Sequence, residues 1–524
     1  MTDSSEITRE PIPPPSWDAA TLRWTLVTMT MATGLYFLSG SVVSVALPAI
    51  GRSLDAGLAG LQWTVNGYFL TLSVLLIPAG ALGDRYGRRR AILIGMTLFG
   101  VMALVAGVAP TIEWLIGARL LQGVGAAFLV PAPLATLRAV HTRAEDRGAA
   151  IGYWSGWSGV TLIVGPLLGG WLVDRFSWRW AFFFQVPLIA VAIWLIIRHV
   201  PETREGVRGR LDWAGAALAG LGFGGLLLWL VQGPEWGWRN PMTWGSLLIG
   251  AAGIGLFILV ESRVSNPMVP LRLFRLGNFS GANLNTFAVY GALEALLFFL
   301  ILYVQSVMGV SALISGLLFV PISAILLFLS PFFGRLAGRH GARRLLTLGP
   351  FLSGGGILLL LGLQPESNFW LGTMPGVVLF SLGLAAMVAP LTNTIMSSVD
   401  SRYGGLAAAF NQVVARVAGL VAIAGLGIVL SWTFNTALDG YLAGSLSVPP
   451  ASPLSKERVD PNAAIGALED LPLEAREAVR SSYTEAFYRV MLINALLIMA
   501  GGVVAWVMIR DRGAPDALRG DEPT

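Results

Sequence analysis

Gly80-Ala-Leu-Gly-Asp-Arg-Tyr-Gly-Arg-Arg-Arg90 returns 254 residues later as Gly334-Arg-Leu-Ala-Gly-Arg-His-Gly-Ala-Arg-Arg344. Gly80, Leu82, Arg85, Gly87, Arg89 and Arg90 align with Gly334, Leu336, Arg339, Gly341, Arg343 and Arg344. Both copies close the second long apolar run of a series of six. A basic loop arising by chance would reproduce the arginines, not the glycines and leucine between them. The chain is therefore read as two equivalent halves with extra sequence inserted between them.

Composition agrees with a chain that lives in lipid. Apolar residues make up 55% of 524, charged residues 12%, and mean hydropathy is +0.69. A water-facing domain needs about a quarter charged residues. The 63 glycines suit helices whose backbones approach closely. A net charge of +5 would suit nucleic acid, but the arginines form short clusters between apolar runs and no basic face. There is no cysteine, so disulfides and thiolate metal sites are excluded. The start of the chain, with Asp3, Glu6, Glu10 and Pro13 to Pro15, lacks the basic opening of a secretory signal.

A helix of about 20 apolar residues crosses the hydrocarbon core. Six such runs lie between residues 24 and 198, two between 199 and 277, and six between 278 and 510, which predicts fourteen spans. With tails at 1–23 and 511–524 on one side, 19 loop arginines fall on that side and 4 on the other. The bias predicts both termini in the cytoplasm. One connection, at about 433–484, is long, polar and proline-rich, and holds Lys456, the only lysine. Its stretch Leu473 to Arg480 has good helix formers and is expected to run on into the last span. A solvated loop without a role and a lid over the outer vestibule are both open readings.

The repeated segment resembles the loop signature of the major facilitator superfamily. The resemblance implies a gate on the cytoplasmic side built from Gly80, Asp84, Arg85, Gly87, Arg88 and Arg89, with Asp84 at the N-terminus of a helix in the other half. Gly338 replaces the aspartate in the second copy, which makes the latch one-sided. Arg119-Leu-Leu-Gln-Gly-Val-Gly125 is similar to the family's fourth-helix motif (Arg119, Gln122, Gly123). Gly165-Pro-Leu-Leu-Gly-Gly170 resembles the motif of its antiporters (Gly165, Pro166, Gly169, Gly170), with Thr161 in place of a preceding glycine. The added pair of spans resembles the fourteen-helix drug/proton antiporters. The fold implied is all-α: two six-helix halves plus two linker helices.

The first span departs from this pattern, because Ser39 stands where many of these antiporters carry an aspartate. A serine cannot carry a proton at physiological pH. Glu294 remains as a carboxylate inside an apolar run, which makes it a candidate for proton coupling or cation binding. The plain alternative is a structural partner for an arginine such as Arg416, itself about ten residues into its span. Arg119 and Arg416 are the other candidate cavity charges. Trp63, Tyr68, Asn283, Gln305 and Asn411 are candidate lining residues, each with interhelical packing as its alternative.

The histidines, His141, His199 and His340, have no metal-ligand spacing, and no phosphate-cradling loop occurs, so neither an enzyme nor a primary pump is expected. The expectation is a monomeric bacterial inner-membrane transporter without cofactor. It would export amphipathic small molecules by alternating access, using the proton gradient. A lipid or lipid-linked precursor flippase, or a facilitator without proton coupling, remains the alternative.

Overall fold

The computed structural model describes residues 17–204, 212–264, 267, 271–400, 404–442, 459–468 and 471–511. Lys456, Arg208, Arg210, Arg402, most of both terminal tails and much of the long connection lie outside the described residues. Among the described residues, fourteen helices are long and apolar enough to span a bilayer. The first half holds α1 (Ala19–Leu54), α2 (Leu58–Tyr86), α3 (Arg88–Gly107), α4 (Ile112–Val140), α5 (Glu145–Arg175) and α6 (Trp180–His199). An inserted hairpin follows, α7 (Trp213–Trp236) and α8 (Pro241–Glu261). The second half holds α9 (Gly277–Ser306), α10 (Ala312–His340), α11 (Arg343–Gly362), α12 (Phe369–Ser397), α13 (Gly404–Tyr441) and α14 (Leu473–Met508).

Two helices extend well beyond the apolar minimum and shorten the long connection. α14 begins at Leu473, as expected, whereas α13 continues to Tyr441, past the expected start of the loop at about 433. The extra turns of α13 are polar, which composition reads as loop, but they continue a packed helix. Between them, a short helix at the arginine-poor end, Pro461–Gly466, is capped by Asp460, whose carboxylate accepts from the Asn462 and Ala463 N–H groups.

Within each half, α1 packs on α5 and α6, and α4 on α2 and α3; α9 packs on α13 and α14, and α12 on α10 and α11. The halves meet where α2 faces α13 and where α5 faces α10. The hairpin lies against α2 and α13, along one of these two seams. Its helices touch backbone to backbone. A Cβ on Gly222 would come within 2.8–2.9 Å of Ile254, and one on Gly225 within 2.6 Å of the Gly250 nitrogen.

The repeated loop performs the same local task twice. Gly87 and Gly341 sit at φ +117° and +87°, a left-handed region that favours glycine. The next turn in each half is held by a carboxylate: Glu202 accepts from the Arg89 N–H at 3.0 Å, and Asp511 from the Arg343 N–H at 3.0 Å. The guanidinium of Arg89 donates to the Ile197 carbonyl, and that of Arg343 to the Trp506 carbonyl. Each carboxylate lies five residues past that carbonyl. The third arginine of each copy thus ties the third helix of its half to the sixth, using the free donors and acceptors of two helix ends.

Gly225→Leu is expected to force α7 from α8 and to cost about 1–3 kcal/mol, as overpacking does. A thermal melt of the purified protein checks this; an unchanged midpoint would show that the hairpin yields without cost.

Candidate functional site

Within two spanning helices, Glu294 of α9 pairs with Arg416 of α13 at 3.2 Å. The two side chains are 22% and 17% exposed, so the pair is only partly withdrawn from the interior space. Gly419 makes room for it, since a Cβ there would meet the Glu294 Cγ at 2.9 Å. Both charges belong to the second half, yet the Arg416 guanidinium stands over rings of the first, 5.6 Å from Tyr36 and 5.1 Å from Phe69. An arginine over aromatic faces gains attraction that a hydrated ion would lose. Nearby, Asn411 donates to Asn283 and Thr286, so two expected lining residues do meet.

Arg119 is 1% exposed. Its Nε donates to the Thr64 carbonyl at 3.1 Å, and one terminal nitrogen to the Gln122 oxygen at 2.7 Å and the Ser39 hydroxyl at 3.2 Å. The group stacks 4.2 Å from the Tyr68 ring. No carboxylate pairs with it among the described residues. The serine that departs from the expected aspartate is thus a direct contact of the buried arginine. A buried charge held by neutral groups alone is costly, and the Tyr68 hydroxyl and Gln122 nitrogen beside it have no protein partner. Tyr68 is wholly buried and serves as a platform for Arg119, while Trp63 is half-buried against the core.

The halves are sealed at the arginine-poor end. Asp174, at the end of α5, accepts from the N–H groups of Ala312 and Leu313 at 3.0 and 2.8 Å, where a helix N-terminus favours an anion. Gly170 and Gly316 allow this contact: Cβ atoms there would come within 2.6 Å of the Leu313 Cα and the Pro166 carbonyl oxygen. Gly165 and Gly169 lie against Ser41 and Val42 of α1, so the proline-glycine motif joins α5 to both α1 and α10. Thr161 packs on Gly34, which supplies the small residue from the other helix.

At the second seam, Gln62 donates to the Ile423 carbonyl at 2.7 Å, beside Gly427. Gln305 bridges the halves by donating to the Val45 carbonyl at 3.0 Å, which is the interhelical alternative to a place in the cavity. The outer segment adds a strap: Asp460 accepts from the Leu58 N–H at 2.8 Å, and Asn462 donates to the Ala56 carbonyl at 2.9 Å. Asn435 of α13 holds the root of this strap by two bonds to Val459. Asp174, Gln62, Asn435 and Asp460 escaped the sequence reading. Only Asp460 leaves a local signal, as an N-cap followed by proline.

At the arginine-rich end, Asp84 pairs with Arg88 at 2.7 Å, and Arg88 also donates to the Ala135 carbonyl. These contacts, like that of Arg89, stay within the first half. Gly80 packs on Pro131 and Gly123 on Tyr68 and Thr71, which fits α2 closely to α4. Among the described residues no cluster of histidine and carboxylate could hold a metal ion.

Comparison with known proteins gives a consistent picture. Residues 29–423 match the model of the Major Facilitator Superfamily. The multidrug resistance protein Stp of Mycobacterium tuberculosis is 33% identical over 81% of this chain and 79% of its own length. The puromycin resistance protein pur8 of Streptomyces alboniger is 33% identical over 82% and 85%. The multidrug efflux pump LfrA of Mycolicibacterium smegmatis is 27% identical over 93% and 96%. Among solved structures, a bacterial homolog to the human lysosomal transporter Spinster has TM-score 0.66 at 15% identity, covering 95% of this chain and all of that one. A D-xylose-proton symporter has TM-score 0.58 at 13% identity, covering 94% and 98%.

Two outcomes test this geometry. Ser39→Asp places a carboxylate against Arg119 and is expected to raise stability by about 2 kcal/mol, read as a higher melting midpoint. A lower midpoint would mean that its neutral partners already suffice. Asp460→Ala removes the cap of two helices, worth about 1 kcal/mol. It should raise maleimide labelling of Ala46→Cys from the arginine-poor side, in a chain with no cysteine of its own. Unchanged labelling would deny the strap a part in closure.

Proposed function

The chain belongs to the major facilitator superfamily, and from that premise we propose that it exports amphipathic small molecules by alternating access, in exchange for protons. The arginine-rich end then faces the cytoplasm of a bacterial cell, with both termini inside, and the protein acts as a monomer without cofactor. One observation supports the reading most: the partly exposed Glu294–Arg416 pair rests on Tyr36 and Phe69 of the opposite half, below the sealed seams. Rocking the halves to open the arginine-poor end would draw the rings from Arg416 and change the surroundings of Glu294. The drug-resistance and efflux relatives support the substrate class.

The pair also sets a rule for coupling. A cationic or polar substrate that competes with the proton for Glu294 gives exchange, one leaving as the other binds. An anion that takes Arg416 once Glu294 is protonated would travel with the proton. Export driven by an inward proton gradient therefore favours neutral or cationic amphiphiles at this site. In the opposite conformation, Asp84 is proposed to leave Arg88 and to latch the cytoplasmic ends, capping a helix of the second half.

One observation favours a second reading. Ser39 beside Arg119 offers no proton carrier at that contact, which suits a facilitator or a lipid flippase of the same fold.

Transport in proteoliposomes separates the readings, using cationic, neutral and anionic amphiphiles with and without an imposed pH gradient. The gradient should drive flux of neutral and cationic compounds, and Glu294→Gln should abolish the drive while substrate binding persists. Flux that ignores pH, or a variant equal to the parent, would replace proton exchange by facilitated movement.

A further inference from the structure

A groove of about 420 Å³ runs along the arginine-rich arms of α5 and α6, with α1 as its floor. Leu26, Thr30 and Leu38 line the floor, Tyr153 and Trp157 one wall, and Leu188 the other. Trp157 is 59% and Tyr153 66% exposed, so the groove opens sideways to the surrounding apolar slab. From Leu26 to Leu38 the floor rises about 18 Å, close to the depth of one leaflet of a ~30 Å hydrocarbon core.

The groove is closed toward the central site. Trp154 Nε1 donates to the Thr33 hydroxyl at 2.9 Å, Thr161 packs on Gly34, and Gly165 packs on Leu38. These contacts stand between the groove and the central site, which argues for a resident rather than a passing occupant.

The mouth of the groove carries both signs of charge. Arg23 lies seven residues before Thr30 on the same face of α1, and is exposed. Asp146 lies seven before Tyr153 on α5, also exposed, between Glu145 and Arg147. His199, at the end of α6, stacks on Trp24 at 5.1 Å. Neither Arg23 nor Asp146 has a side-chain partner among the described residues.

We propose that the groove is a structural lipid site for an aminophospholipid of the leaflet at the arginine-rich end. One acyl chain fills it, Arg23 takes the phosphate, and Asp146 takes the amine. The site is independent of what the central cavity carries. Because it wedges α5, the helix whose other end seals against α10, an occupied groove supports the conformation described here.

Native mass spectrometry of the full chain, with phosphatidylethanolamine and phosphatidylglycerol in equal amounts, tests this. The parent should retain the aminophospholipid about fivefold over the glycerol lipid, the scale of one exposed ion pair. Asp146→Asn should equalise the two while retaining lipid. Thr30→Trp fills the groove and should lose the bound lipid; Leu188→Trp fills it from the other wall if the first variant melts early. Undiminished lipid in a stably folded filled variant would overturn the site. Equal retention by the parent would overturn the headgroup assignment. A lipophilic cationic dye that displaces lipid from the parent, and fails to bind the filled variant, would make the groove a substrate site instead.

Discussion

In an apolar slab, every backbone and charged group must be satisfied by protein, because lipid offers no hydrogen bonds. Fourteen helices settle the backbone, and what remains is where the helices and the halves meet. The seams are joined by a carboxylate on helix-end N–H groups at Asp174 and Asp460, and by amides on carbonyls at Gln62 and Gln305. Each of these bonds uses backbone groups that water can also satisfy. A seam built this way can open to water without leaving a charge stranded, unlike one built on buried ion pairs.

The same constraint explains why the two buried arginines differ. Arg416 has a carboxylate, and its aromatic support comes from the other half, so its surroundings depend on how the halves sit. Arg119 takes all its partners, Ser39, Thr64, Gln122 and Tyr68, from its own half, so its surroundings do not depend on how the halves sit. The replacement of a carboxylate by Ser39 leaves that half with a neutral clasp. Charge that can respond to conformation is thereby concentrated at Glu294.

Much of this was legible in the chain. Apolar run length and the repeated loop led to fourteen helices in two halves, and an acid in an apolar run pointed to Glu294 with Arg416 as its partner. The limits are equally specific. Gln305 read as a cavity residue because an amide in an apolar run looks the same whether it faces water or a carbonyl 260 residues away. Gln62 was missed for the same reason, and Asp174 because a carboxylate at a span end reads as solvated. The doubled clamp of Glu202 and Asp511 lay hidden because it joins helix ends 113 and 168 residues apart. The aligned Arg89 and Arg343 were its only trace.

The sequence by itself determined that the chain is helical, membrane-spanning and internally repeated, because these follow from composition, periodicity and the cost of exposed polar groups in lipid. Tertiary structure alone decided which end is closed, which amides hold it closed, and that Arg119 and Arg416 answer to different halves. The physical reason is that hydropathy is a property of each residue, whereas closure is a property of pairs of helix ends. Those pairs are chosen by how the two halves meet, and nothing local in the chain records that choice.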